Sequence, residues 1–178
     1  MKRSLIVCFL CFIVIDLYSQ AISRFLDFRL GMPISEARYI LNSKYRSAEW
    51  NGNECKITGV QLAGEQFSQL VLTFSNNQLV SGTFAALNSP IITFNQNEFR
   101  QRMEYQLNSQ QQRIARLYSQ FSSKYGNASS SSDTSITWRD SFGNSITINI
   151  LLNNSYNYDS YIGNVNVNVK YSSQQDNF

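Results

Sequence analysis

The chain has 178 residues, of which 43% are hydrophobic and only 15% charged, with a formal net charge of +3. That suits one domain or two small ones with a real core. The basic excess is too small for a nucleic-acid or anionic-membrane footprint, and the absence of histidine excludes Ser-His-Asp and Cys-His catalysis and His-based metal sites.

Residues 1–20 read as a signal peptide. Lys2 and Arg3 form a basic start, Leu5 to Ile15 is nearly all apolar, and Ser19 offers a small residue before a cut. The run is short for a membrane span. Cleavage near Ser19 or Gln20 releases a secreted or periplasmic product with net charge +2. Cys8 and Cys11 leave with the segment, so Cys55 has no internal disulfide partner. Cys55 reads as a small residue at a strand edge. The thiol-nucleophile reading needs an activating base or cation beside it.

Phe25 to Leu30 reads as a short strand entering Gly31. A helix then starts at Pro33 or Ser35, with Glu36 in its first turn, where the helix dipole favours an anion. Ile34, Ala37, Ile40, Leu41 and Tyr45 make its apolar stripe. Ser47 to Asn53 is a loop carrying Trp50 and the turn signal Asn51-Gly52. Strands follow at Cys55 to Leu62, Phe67 to Phe74 and Leu79 to Leu87. The second and third are joined by an Asn76-Asn77 turn. Gly82 interrupts the third strand, where a bulge or a close approach is expected. Asn88 to Asn95, punctuated by Pro90, links the halves.

The second half opens on a longer helix, which Asn97 caps. Phe99, Met103, Leu107, Ile114, Leu117, Tyr118, Phe121 and Tyr125 form its apolar face. Asn108 to Gln112 has no apolar residue, so a kink or break is expected there. Gly126 ends the helix, because only glycine takes a positive φ without steric cost. After a serine-rich loop, strands are expected at Ser135 to Asp140, Ser145 to Leu152 and Val165 to Tyr171. A Tyr/Asn-rich loop, Asn153 to Gly163, lies between the last two.

Helix-then-three-strands thus occurs twice. Ser43-Lys44-Tyr45 and Ser123-Lys124-Tyr125 mark the two helix ends, and Ile57-Thr58 parallels Ile136-Thr137. The expected fold is α+β, with two tandem helix-then-antiparallel-three-strand units and the helices packed on one face of the sheet. Residues 21–95 are the first unit and residues 96–178 the second.

Gly31-Met32, followed by the helix Ile34-Ser35-Glu36-Ala37-Arg38-Tyr39-Ile40-Leu41, resembles the Gly-Met-x-x-x-Glu-Ala/Val helix opening of BamE-like and β-lactamase-inhibitor-like exported proteins. The chain is also similar to uncharacterised secreted proteins of Bacteroidetes. The motif covers about a dozen residues, and Pro33 departs from the Ser or Thr frequent there. The resemblance implies binding or envelope assembly rather than catalysis. It carries over no functional residue and implies no cofactor.

The remaining chemistry is sparse. Glu49 and Glu54 flank Trp50, and Asp133 and Asp140 bracket Trp138. Glycoside hydrolysis needs such pairs across a shaped cleft, and surface carboxylates at strand ends are the plainer reading. Arg100, Arg102, Arg113 and Arg116 lie on the long helix, diluted by Glu98 and Glu104. Tyr156, Tyr158 and Tyr161, set among Asn and Asp, supply rigid contact area beside amide hydrogen bonds. With Trp50 they are the candidate binding residues, against the alternative that the rings cover the end of the sheet. The expected function is an exported, non-catalytic protein-interaction module with an envelope or extracellular partner and no metal. The alternative is a carbohydrate- or small-ligand-binding protein using its aromatic loops.

Overall fold

The computed structural model describes residues 21–157 and 159–174. The signal segment at 1–20, the site candidate Tyr158 and the last four residues lie outside the described residues. Among the described residues, eleven strands and two helices follow in order: β1 (Arg24–Phe25), β2 (Phe28–Arg29), α1 (Ile34–Lys44), β3 (Glu49–Asn51), β4 (Glu54–Leu62), β5 (Glu65–Ser75), β6 (Gln78–Ala86), β7 (Ile91–Thr93), α2 (Gln96–Tyr125), β8 (Ser130–Ser131), β9 (Ser135–Arg139), β10 (Ser145–Asn157) and β11 (Ser160–Ser172).

The expectation of two helix-plus-three-strand units is overturned. β3 to β11 form one nine-stranded antiparallel sheet, ordered β3-β4-β5-β6-β11-β10-β9-β8, with β7 also on β11; β1 and β2 form a separate ribbon. The join is the pairing of β6 with β11, from Val167↔Ala86 to Ser172↔Ser81. It erases any boundary at residue 95, since strands from both halves share one hydrogen-bonded ladder. Apolar alternation marks a strand only over several residues, so the shortest strands leave no such pattern, even β7, which buries Ile91 and Thr93. β3, β7 and β8 are two or three residues long, and β8 is two exposed serines.

One face of the sheet is apolar and carries the core. Ile57, Leu70, Leu72, Phe84, Ile146, Ile148, Val167 and Val169 are all at most 1% exposed. Each such side chain stabilises by roughly 1.5–3 kcal/mol relative to its exposed state. Ala37 and Leu41 of α1 and Leu117, Phe121 and Tyr125 of α2 belong to the same cluster. A chain of rings ties it together. Tyr45 stacks on Phe28, Phe25 meets both Phe84 and Tyr171, and Phe121 meets Tyr171 and Trp138. Trp138 is 1% exposed, and its indole N–H donates to the Gly126 carbonyl at 3.0 Å. Gly126 has φ +80°, so the residue that ends the helix also receives the tryptophan.

Several boundaries differ from expectation. The segment after Phe25 is a tight ribbon turning at Leu26, not one strand. The N-cap of α2 is Asn95, whose side chain accepts from the N–H groups of Asn97 and Glu98, so Asn97 lies inside the helix. α2 runs unbroken through Asn108 to Gln112 for 30 residues. Gln110 is 1% exposed and accepts from Arg113 at 2.8 Å, and Arg113 and Arg116 both reach Glu65 on β5. That polar anchor gives the amide-rich turn a tertiary contact without an apolar residue.

Candidate functional site

Asn153 to Gly163 is not a loop. β10 and β11 are 13 residues each and pair without interruption from Ser145↔Ser172 to Asn157↔Ser160. The hairpin runs past the core, so its distal residues need no buried face and show no apolar alternation. Amides pair across it instead: Asn153 donates to Asn164 at 3.0 Å. This is why the segment reads as a loop.

β6 leaves β11 at Val167, and β7 joins it at Gly163. Val165 lies in the gap, and two amide side chains stand in for the missing strand. Gln106 accepts from the Val165 N–H at 2.9 Å, and Asn88 donates to the Val165 carbonyl at 2.7 Å. The Asn88 N–H also donates to Asn166 Oδ1 at 2.8 Å. Buried backbone groups left unpaired would each cost about 1–3 kcal/mol, so these two amides hold the distal hairpin in register. Neither is visible in the sequence as more than a surface amide.

Exposed apolar side chains lie on both faces of the sheet at this end: Leu152 and Tyr156 share the face of Val165 and Tyr161, and Leu151 and Ile92 lie on the other. Leu87, Ile92, Phe94, Tyr105, Leu151, Leu152 and Tyr156 are seven of the eleven exposed large hydrophobic residues among those described. Phe94 is 79% exposed, Tyr105 77% and Tyr156 66%. Tyr161 is half-buried and packs on Tyr156 at 4.8 Å and on Phe99 of α2 at 5.6 Å. A groove of about 500 Å³ between β7 and α2 is lined by Asn88, Pro90, Ile91, Arg102, Tyr105 and Gln106. Its neighbouring charges are paired: Arg102 bridges Glu98 at 3.0 Å, and Glu98 also accepts from Thr93 at 2.9 Å. The groove is therefore apolar and rimmed by amides, and the hairpin tip adds one exposed carboxylate, Asp159.

Trp50 is not part of it. It lies on β3, five strands from β10 and so about 24 Å away across the sheet. Its ring packs on Phe74 at 5.5 Å and is covered by the Arg38 guanidinium at 4.7 Å. Trp50 is a rim residue of the core.

The other candidates have structural work. Asp140 accepts from the N–H groups of Ile22, Phe142 and Asn144 and from the Asn144 side chain. Both its oxygens are used to close the β9–β10 turn and to pin the chain at Ile22. Glu49 and Glu54 sit on paired strands opposite Lys56 and Asn51, exposed on the face away from the core. Cys55 is fully buried rather than at an open edge, and burial pushes its thiol pKa up despite nearby Arg38. That is the reverse of what a nucleophile needs. Among the described residues, no cluster of three or more His, Cys, Asp or Glu is placed to hold a metal, and no helix is long and apolar enough to cross a membrane.

No known protein family, curated protein or solved structure matches this chain.

Proposed function

We propose that this chain is an exported, non-catalytic protein-interaction module whose contact surface is the distal end of the β10–β11 hairpin with β7. One observation carries the reading: seven of the eleven exposed large apolar residues among those described lie on the elements of this end, with Leu152 and Tyr156 on one face of the sheet and Leu151 and Ile92 on the other. Concentrated apolar surface rimmed by polar groups marks interaction sites, and tyrosine is enriched at binding hot spots. Glycan binding is less well supported. The Tyr156 and Tyr161 rings lie against each other with planes at 45°, so they do not form one flat double platform for a sugar.

The test is site-specific photo-cross-linking in the producing cell. A photoreactive residue at Phe94 or Tyr156 should capture a discrete protein partner. The same residue at Phe142, equally exposed but at the opposite end of β10, should not. Equal capture at all three positions, or none at any, overturns the reading.

A further inference from the structure

We infer that this chain pairs with a second copy of itself, edge to edge, along the outer side of the distal part of β10, centred on Asn154. The inference rests on reading this end as a contact surface, and it names one partner for it.

The edge is built by a difference in strand length. β9 covers β10 only up to Ile150, whose N–H donates to the Thr134 carbonyl at 2.9 Å. Backbone groups of alternate residues point to the same side of a strand. The N–H and C=O of Leu152 and Asn154 therefore point the way those of Ile150 do, and no strand lies beside them among the described residues. The other side of the same segment is fully engaged with β11, from Leu151↔Asn166 to Ser155↔Ile162.

Proteins guard such edges with charge, proline, bulges or very short strands. The two ends of the sheet are guarded: β3 is three residues with Glu49, the part of β4 it leaves uncovered is broken at Gly59, which has φ +65° and drops out of the register with β5, and β8 is only Ser130–Ser131. The distal β10 segment, Leu151 to Asn157, has no charged residue and no proline, and its register with β11 is unbroken. An edge without guards is suited to being covered.

The segment is also complementary to itself. A two-fold axis beside Asn154 lets the two Asn154 backbones exchange hydrogen bonds. It sets Leu152 of each copy across from Tyr156 of the other, an apolar–aromatic cross-strand pair. The absence of charge removes the like-charge repulsion that would oppose two identical edges. An extended peptide of another protein would find the same backbone groups but would not use this two-fold complementarity.

The test is sedimentation velocity on the purified full chain across a concentration series, with Asn154→Pro and Leu152→Lys as variants. Proline at 154 removes an outward N–H that β11 does not use, and edge strands tolerate it. Lysine at 152 replaces a side chain that is already 55% exposed. The wild-type chain should dimerise reversibly, and each variant should weaken dimerisation at least tenfold with unchanged circular dichroism. Should the proline variant unfold, the lysine variant decides alone. A wild-type chain that stays monomeric throughout, or a dimer that Leu152→Lys leaves intact, overturns the inference. A monomer that still yields a foreign cross-link at Phe94 overturns self-pairing and spares the contact-surface reading. A dimer without any foreign cross-link supports self-pairing while counting against a separate partner.

Discussion

The ring of Phe25 rests on the backbone of Gly82: a Cβ built at position 82 would collide with the ring's Cζ. The same ring meets Phe84 and Tyr171. Phe25 therefore joins the N-terminal ribbon to the β6–β11 pair, the seam between the two halves of the sheet. Gly82 is fixed by space, not by a backbone angle.

Gly82→Ala should accordingly destabilise the fold by about 1–3 kcal/mol, the usual cost of overpacking. The cost should shrink in a Phe25→Leu background, because the smaller side chain vacates part of the space. Urea denaturation of the single and double variants measures the coupling. Additive effects would mean that the two residues do not share the contact.

Glu65 gives a pH dependence with a defined sign. Hydrogen bonding from Arg116, with the charges of Arg116 and Arg113, holds its carboxyl below the usual glutamate range. A depressed folded pKa contributes stability that is fully present above the unfolded value, near 4.3, and is lost as pH falls through the lower folded value. Asp27, lowered chiefly by its hydrogen bond from Lys44, acts in the same direction. Stability should fall on acidification below about pH 4. Glu65→Gln should flatten part of that fall and Asp27→Asn another part. Denaturant midpoints at several pH values check both.

Cys55 should behave as core. Its side chain is fully buried on β4, and burial raises its thiol pKa. With Cys8 and Cys11 replaced by serine, a thiol reagent at pH 8 should leave the folded protein unmodified and react stoichiometrically in denaturant. Rapid labelling of the native protein would contradict the buried placement. Cys55→Ser should cost about 1–3 kcal/mol, the penalty of a buried hydroxyl without a partner.

Much of the fold was legible where one face of an element is buried. The stripe Ala37, Leu41 and the run Leu117, Phe121, Tyr125 identified both helices, because burial imposes a helical period on the sequence. Val165, Val167, Val169 and Tyr171 identified the central strand for the same reason. The Asn76-Asn77 turn was also legible, since both residues take a positive φ, +50° and +60°. What failed to show was pairing without burial. Ser130 and Ser131 form a strand by backbone bonds alone. The β6–β11 seam is a register between segments some 80 residues apart, and local patterns do not encode it. The candidate site was half legible. Tyr156 and Tyr161 stood out by type, whereas Ile92 and Phe94 reach this end only because β7 pairs with β11, and Leu152 because β10 runs on past the core. Trp50 stood out equally and lies elsewhere.

The hairpin end should separate binding from stability residue by residue. Tyr156 and Phe94 are 66% and 79% exposed, so alanine at either should change stability by no more than about 0.5 kcal/mol. Tyr161 is different. It is half-buried between Tyr156 and Phe99, and aromatic pairs are worth about 0.5–1.5 kcal/mol beyond their buried area. Tyr161→Ala should therefore lower stability measurably and loosen the α2 end of the groove. Against a partner identified by cross-linking, Tyr156→Ala and Phe94→Ala should each weaken binding by about 2 kcal/mol, near thirtyfold, if they are hot spots. Isothermal titration beside thermal denaturation reads both quantities on the same samples. If Tyr156→Ala and Phe94→Ala unfold the protein, these rings cover the sheet end and are not contacts. If they bind as the wild type does, the contact surface lies elsewhere on the molecule.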